Sequence, residues 1–176
     1  MRLMGRIVTQ LLSLARLEAA DLPGAPAPRP VDLVGVATET AAALTPLAIR
    51  ARKEIALLAP DEPVTVQGDA DAIGEALTNL VDNGLRHSPP GGVVEVEVTA
   101  PGIVRVADRG PGVPPSERES IFARFHQASA DARPGGGGLG LPIAAAIMRH
   151  HGGSIAYADQ EGGGALFTLA FCDPSK

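Results

Sequence analysis

The segment NLVDNGLRHSP, residues 79–89, decides how the rest of this sequence is interpreted. It ends a longer segment, residues 69–87, whose apolar residues recur at helical spacing and which stops before two prolines. At about 100° per residue, Asn83 and Arg86 fall within about 40° of Asn79 on a helical wheel. The opposite face carries Ile73, Leu77, Leu80, Val81 and Gly84. An amphipathic helix is therefore predicted, with one polar stripe and one stripe that faces a core.

The polar stripe of this helix favours a binding site. Two carboxamides one turn apart, Asn79 and Asn83, followed by the guanidinium of Arg86, can offer oxygen ligands to a hard cation and donors to phosphate oxygens. A solvated helix face is the alternative interpretation. Because asparagine is a poor residue for a helix interior, two of them in the middle of a helix favour a functional role.

The segments on both sides of this helix predict a mixed α/β domain. Downstream, valines alternate with Glu95 and Glu97, which is typical of a strand with one solvated face, and residues 103–108 form its hairpin partner. Upstream, Asp32 is a candidate N-cap for a helix that runs to Arg52. Further strands are predicted at residues 54–58, 64–67, 154–158 and 165–171, and a further helix at residues 139–151.

The N-terminal region divides into a helix and a linker. Residues 3–20 carry apolar residues at spacings of three and four, which predicts a helix with a bundle-type seam. Residues 21–30 contain four prolines and a glycine and cannot continue a helix. The expected organisation is an interaction helix at 1–20, a linker at 21–30 and a domain at 31–176.

Asp108 is a candidate base-binding residue at the end of a predicted strand. Its carboxylate can accept a hydrogen bond from an exocyclic amine such as N6 of adenine, whereas guanine presents an oxygen at that position. Gly110 and Gly112 next to it would let the backbone approach a ring closely. An ordinary turn is the alternative, because the same residue types make common turns.

A glycine-rich segment precedes the last predicted helix. Gly135 to Gly138, with Gly140, would supply unhindered backbone amides at a helix N-terminus, which is a phosphate site; a flexible linker is the alternative. The long loop at 109–138 that contains it is expected to be a functional lid or a disordered segment. A Walker A loop and a dinucleotide-binding glycine motif are both excluded by the spacing. No lysine lies between Lys53 and Lys176, which excludes chemistry of the eukaryotic protein kinase type.

Composition excludes several other classes of function. The net charge of −5 and the 3% of aromatic residues argue against a nucleic-acid partner. The single cysteine, Cys172, excludes an intramolecular disulfide, and the four histidines lack metal-ligand spacing. No apolar segment is long enough to span a bilayer, so a cytoplasmic location without membrane contact is expected for this part of the protein.

Four segments in a fixed order resemble the motifs of sensor histidine kinases. Residues 79–89 resemble the N box, residues 108–112 the G1 box, residues 121–125 the F box and residues 136–141 the G2 box, while residues 6–20 resemble the second helix of the dimerisation domain. The resemblance implies a Bergerat fold, which is a two-layer α/β sandwich with a mixed sheet and helices on one face, here preceded by one N-terminal helix. It also implies that ATP lies between the N-box helix and the lid.

The resemblance assigns expected roles to individual residues. Asn83 would hold Mg²⁺ and Asn79 would support the metal and phosphate site, Arg86 and His87 would contact phosphate or ribose, and Asp108 would bind adenine. Gly110, Gly112 and Phe125 would belong to the nucleotide site, Arg133 would lie near the γ-phosphate, and Gly136, Gly138, Leu139 and Gly140 would close the lid on the phosphates. The sequence departs from the family pattern at Gly84, Ala123 and His126-Gln127, which affects the expected lid contacts.

The implied activity is transfer of the γ-phosphoryl group of ATP to a histidine upstream of this sequence. The expected partners are the protein's own dimerisation and phosphoacceptor domain, a second copy of the protein and a response regulator, and anchoring of the intact protein in the inner membrane is left open. Without the acceptor histidine, this part of the chain is expected to bind nucleotide and not to phosphorylate itself. The alternatives are a protein-serine kinase of the anti-sigma-factor type and a degenerate nucleotide-binding interaction module.

Overall fold

The computed structural model describes residues 27–123 and 138–172. The predicted N-terminal helix at 1–20 and most of the predicted linker lie outside the described residues, as do Phe125, Arg133 and Gly136. None of the helices that the structure describes is long and apolar enough to cross a membrane.

Three helices form where the sequence predicts them. The first, α1 (Leu33–Ala51), begins at Asp32, whose Oδ1 accepts a hydrogen bond of 3.0 Å from the Val34 amide. The second, α2 (Ala70–His87), begins at Asp69, which caps its first turn in the same way, and α3 (Gly140–His150) is the third. Asp32, the N-cap predicted from the sequence, and Asp69, at the start of the second predicted helix, therefore fix where α1 and α2 begin.

The main sheet has five strands, which are β2 (Glu54–Leu58), β4 (Val93–Thr99), β5 (Ile103–Ala107), β6 (Ser154–Asp159) and β7 (Ala165–Ala170). They form a mixed sheet in the order β2-β4-β5-β7-β6. The strand β2 pairs parallel with β4, and the other neighbours pair antiparallel. The parallel pair requires a crossover, and α2 supplies it between β2 and β4.

A second, two-stranded sheet was not predicted. β1 (Arg29–Asp32) pairs antiparallel with β3 (Thr65–Gly68). Arg29 and Pro30, which the sequence analysis placed in the linker, thus lie in a strand. Proline is tolerated there because the strand has a neighbour on one side only, and Val31 is buried in the core. The pairing partner lies more than thirty residues away, so local sequence gave no signal for this strand.

The core lies between the helices and one face of the five-stranded sheet. Alternate residues of the strands point towards the helices, and the register places Val96, Val106 and Phe167 side by side across three strands. The other face carries the partly exposed Glu97 and Arg105, which form an ion pair. The predicted two-layer α/β sandwich with helices on one face is therefore confirmed for the described residues.

The central helix, α2, is held between the other two helices. It packs against α1, α3, β4 and β5. At its N-terminus, the His151 Nε2 accepts a hydrogen bond of 3.0 Å from the Asp69 amide, and His151 Nδ1 donates to the Ile147 carbonyl at 2.7 Å. His151 thereby joins the C-terminal end of α3 to the N-cap residue of α2.

Candidate functional site

The carboxyl group of Asp108 is buried at the end of β5. The residue is only 3% exposed, and its Oδ1 accepts hydrogen bonds from the amides of Gly110 (2.7 Å) and Ala165 (3.4 Å). Burial raises the pKa of this carboxyl, and the two amides together with the positive charges of His87 and Lys53 oppose that rise. Because both amides bind Oδ1, the other oxygen, Oδ2, is the one that can serve a ligand.

Asp108 lies beside the C-terminal half of α2. A Cβ placed on Gly84 would be 3.5 Å from the Asp108 Cβ, and a Cβ on Gly110 would be 2.9 Å from the His87 carbonyl oxygen. The loop after β5 therefore touches the helix at Gly84, the neighbour of Asn83. The structure thus brings the predicted base-binding residue to the helix that carries the polar stripe, at the core-facing Gly84 and at the C-terminal residue His87.

The N-terminus of α3 lies beside the middle of α2. A Cβ placed on Gly140 would be 3.2 Å from Asn79 Oδ1, so the first residue of α3 and the first asparagine of the stripe are neighbours. Leu139, which precedes the helix, makes no side-chain cap, and the amides of a first helical turn have no intrahelical partner and can bind an anion. Gly138 lies two residues before it. The structure thus places a helix N-terminus next to one end of the polar stripe.

The side chain of Leu139 lies in the hydrophobic core and is 1% exposed. Sequence analysis assigned Leu139 to the nucleotide site together with the neighbouring glycines. Any contact of this residue with a ligand would therefore involve its backbone, while its side chain anchors the start of α3.

Arg86 forms an ion pair that sequence analysis did not mention. Its Nε lies 3.0 Å from Oδ2 of Asp82, one turn earlier on α2, and the Asp82 residue is buried. The spacing of four residues between an aspartate and an arginine was a signal that could have revealed the pair. The pairing orients the guanidinium along the polar stripe that also holds Asn79 and Asn83.

Two further residues shape the surroundings of Asp108 and were missed by sequence reasoning. Gly164, which precedes β7, has a φ of 116°, and a Cβ placed on it would lie 1.9 Å from the Asp108 carbonyl oxygen. Lys53 donates from Nζ to the Leu85 carbonyl in the last turn of α2, and its charge lowers the pKa of Asp108. The glycine run at 162–164 was visible in the sequence, but nothing local linked it or Lys53 to residue 108.

Among residues 27–123 and 138–172, no group of three or more His, Cys, Asp or Glu side chains could hold a metal ion.

The sequence profile of the family described as histidine kinase-, DNA gyrase B- and HSP90-like ATPases matches residues 68–175. The chain belongs to this ATPase family. The matched region contains α2, the Asp108 loop and the N-terminus of α3, which are the elements that form the site.

Curated relatives of this ATPase domain are named as sensor kinases. The chain is 33% identical over 162 residues to the signal transduction histidine-protein kinase/phosphatase MprB of Mycolicibacterium smegmatis, covering 90% of this chain and 31% of that protein. It is 38% identical over 152 residues to the sensor protein kinase PmrB of Pseudomonas aeruginosa, covering 85% of this chain and 31% of that protein. The first curated relatives are thus much longer, and the chain spans between 11% and 31% of their length.

Solved structures of histidine kinases share the fold of the ATPase domain. A structure of the mycobacterial sensor histidine kinase MprB superposes with a TM-score of 0.68 at 31% identity, covering 82% of this chain and 96% of that one. The full-length ShkA structure in complex with AMPPNP gives a TM-score of 0.73 at 29% identity, covering 97% of this chain and 37% of that one. The described fold is the catalytic ATP-binding domain of a sensor histidine kinase, and the serine-kinase and interaction-module alternatives are not favoured.

Proposed function

We propose that this domain binds Mg-ATP between the polar stripe of α2 and the N-terminus of α3, and that the complete protein transfers the γ-phosphoryl group to a histidine. The observation that carries the proposal is the buried carboxyl of Asp108, which faces the same helix as Asn79 and Asn83. The site residues and their roles are inferred from this arrangement.

Asp108 is proposed to select adenine. Its Oδ1 is held by the Gly110 and Ala165 amides, so Oδ2 accepts a hydrogen bond from the N6 amine of the base. The carbonyl oxygen of guanine at the same position would face a buried carboxylate, and two acceptors repel each other. The proposed selectivity for adenine over guanine therefore depends on one atom, Oδ2 of Asp108.

The phosphates are proposed to lie between Asn79 and the first turn of α3. The uncapped amides at Gly140 and the positive end of the helix dipole attract phosphate oxygens, and the Asn79 carboxamide lies beside them. His87, the last residue of α2, lies close enough to Asp108 for its charge to oppose the rise in the pKa of that carboxyl, and we propose that it contacts phosphate or ribose.

Asn83 is proposed to hold Mg²⁺ through its carboxamide oxygen. Mg²⁺ prefers oxygen ligands, keeps several waters and commonly binds through substrate phosphates, so one neutral protein ligand fits this mode of binding. The ion supplies charge neutralisation for the phosphates when it is bound. The Asp82 carboxylate offsets the charge of Arg86, so the local pair adds little net positive charge of its own.

The proposed reaction is an in-line displacement at the γ-phosphorus. A histidine nitrogen forms the new N–P bond with its lone pair, the bond from the γ-phosphorus to the β,γ-bridging oxygen breaks, ADP leaves with that electron pair, and the proton on the other imidazole nitrogen passes to solvent. This domain contributes positioning and electrostatic stabilisation, since the nucleophile belongs to another domain. Asn79 stands where the resemblance places a water-activating glutamate in the hydrolytic ATPases, so slow ATP hydrolysis is expected.

The proposed partners follow from the names of the relatives. The curated relatives are histidine-protein kinases and sensor kinases, and we propose that the complete protein acts as a homodimer, phosphorylates its own dimerisation domain and passes the phosphoryl group to a response regulator.

Asn83→Ala is expected to weaken ADP binding about tenfold in the presence of Mg²⁺, since it removes a ligand of the ion, an effect comparable to the loss of one hydrogen bond to a charged group. Titration calorimetry with and without EDTA measures this effect. Thr78→Ala, an exposed position on the same helix, is the matched control and should bind as the original chain does. Equal affinities of Asn83→Ala and the original chain with Mg²⁺ would contradict the metal assignment.

Phosphotransfer is tested by incubating the complete protein that carries this sequence with ATP labelled at the γ-phosphate. An acid-labile label on the protein supports the histidine kinase proposal. An acid-stable label on a serine would indicate a serine kinase, and the absence of any label would indicate a binding module; either result would overturn the proposal.

A further inference from the structure

We propose that Tyr157, Arg118 and Asp159 position the loop that follows Asp108, and that they thereby set the affinity of the site for the adenine base. The inference rests on the proposed nucleotide site. None of the three residues is placed in contact with the nucleotide, so they are positioning residues.

The loop that follows Asp108 spans residues 109–113. Side chains bind both the amide and the carbonyl group of Val113, its last residue. The Val113 amide donates to the Tyr157 hydroxyl at 2.9 Å, and the Val113 carbonyl accepts from Arg118 Nε at 3.2 Å. A loop residue is thus fixed in position and orientation by two long side chains from different parts of the chain.

The two side chains share one acceptor. The Tyr157 hydroxyl donates to Asp159 Oδ1 at 2.8 Å, and Arg118 Nη2 lies 2.8 Å from each oxygen of Asp159. The Arg118 guanidinium carbon also lies 5.6 Å from the centre of the Tyr157 ring, and that ring packs edge-on against Phe167. Burial is the main cause that raises the pKa of Tyr157, so its hydroxyl keeps the proton that it donates.

The network connects directly to the base end of the site. A Cβ placed on Gly112 would be 3.4 Å from the Tyr157 hydroxyl oxygen and 3.1 Å from the Gly164 carbonyl oxygen, so the loop backbone is pressed against both. At its other end the loop is held by the Gly110 amide on Asp108. The four residues between Asp108 and Val113 are therefore fixed at both ends, and the Tyr157 hydroxyl fixes the second end.

Because side chains of this network are partly exposed to solvent, its effect on the position of the loop can be distinguished from its effect on the stability of the fold. The Arg118 and Asp159 side chains are 38% and 58% exposed, and ion pairs at such positions add little to the stability of a fold. The contacts instead determine where the backbone of Gly112 and Val113 lies. Loss of the network should therefore change binding more than unfolding.

The test is to measure dissociation constants for ADP by calorimetry, and for GDP by competition, on the 176-residue chain. Tyr157→Phe removes only the hydroxyl, and Arg118→Gln removes the guanidinium. Each is expected to raise the dissociation constant for ADP about fivefold, as expected when hydrogen bonds that order a site are lost, and to leave GDP unchanged, so that discrimination between the bases falls. The matched control is Arg105→Gln, which breaks the similarly exposed Arg105–Glu97 pair on the open face of the sheet and should change neither constant.

The outcomes are distinct. If both network variants bind ADP and GDP as Arg105→Gln does, the inference is wrong, even if their melting temperatures fall. If Tyr157→Phe does not fold, Arg118→Gln decides the question on its own. If the original chain does not bind ADP, the proposed function fails first and the inference fails with it.

Discussion

Asp108→Asn is expected to weaken ADP binding about 30-fold to 100-fold while raising the melting temperature of the nucleotide-free chain. The Gly110 and Ala165 amides both donate to Oδ1, so they would select the amide oxygen of the new asparagine for that place. The amide nitrogen would then occupy the position of Oδ2 and present donors to the donor group of adenine. A lost hydrogen bond to a charged group contributes about 1.5–3 kcal/mol, to which this donor–donor contact adds.

The stability of the same variant should change in the opposite direction. Burial raises the pKa of Asp108 in the folded chain, so its ionisation opposes folding. Its contribution to stability is fully present below the pKa of the unfolded chain and is lost as the pH rises through the folded pKa. Asparagine does not ionise, so the variant does not lose stability in this way as the pH rises. Its advantage in stability over the original chain should therefore be larger at neutral pH than at acidic pH.

Calorimetric titration with ADP, GDP and IDP, together with melting curves from acidic to neutral pH, checks both parts of the prediction. Because GDP and IDP present an oxygen where ADP presents an amine, their affinity should rise relative to that of ADP. Glu97→Gln neutralises a partly exposed carboxylate on the open sheet face and serves as the control for charge alone. Retained ADP selectivity in Asp108→Asn would show that the base lies elsewhere.

Gly164→Ala is expected to lower the free energy of unfolding by about 4 kcal/mol or more. The new Cβ would lie 1.9 Å from the Asp108 carbonyl oxygen, and the φ of 116° is one that side-chain-bearing residues rarely adopt. Relief requires Asp108 to move relative to β7, so any folded fraction should also lose affinity for ADP.

The same turn supplies a control for Gly164→Ala. Gly163 has a φ of 98°, but a Cβ placed on it meets no atom of the described residues within 4 Å. Gly163→Ala therefore carries only the backbone strain, about 1–2 kcal/mol, and should keep its affinity for ADP. Urea unfolding curves of both variants measure the difference. Equal losses of stability in the two variants would refute the proposed contact between residue 164 and Asp108.

Sequence periodicity predicted those parts of the fold that depend on local order. The capping aspartates Asp32 and Asp69 defined the starts of two helices, and the alternation of valine and glutamate defined β4. The strand β1 was not predicted, because its partner β3 is distant in the chain and because the composition of β1 is that of a linker.

The candidate site was predictable to a similar extent. Helical spacing placed Asn79, Asn83 and Arg86 on one stripe, but periodicity cannot say what faces that stripe. The approach of Asp108 to Gly84 depends on the pairing of β5 with its neighbours, and the contact with Gly164 depends on a hairpin more than fifty residues later. Such contacts are products of tertiary packing. The order of motifs typical of the family indicated that Asp108 and the helix share a site, but nothing in the sequence indicated the contact with Gly164.

In the proposed binding mode, the position of α2 between two loops also sets the length of ligand that the site would accept. Gly140 abuts the helix at Asn79, whereas Gly110 abuts it at His87, and at 1.5 Å per residue these points are separated by about 12 Å along the axis. Adenosine or AMP would reach only the base end, and inorganic triphosphate only the other. In the proposed binding mode a nucleoside di- or triphosphate spans the interval, so the helix itself would select ligands by their length.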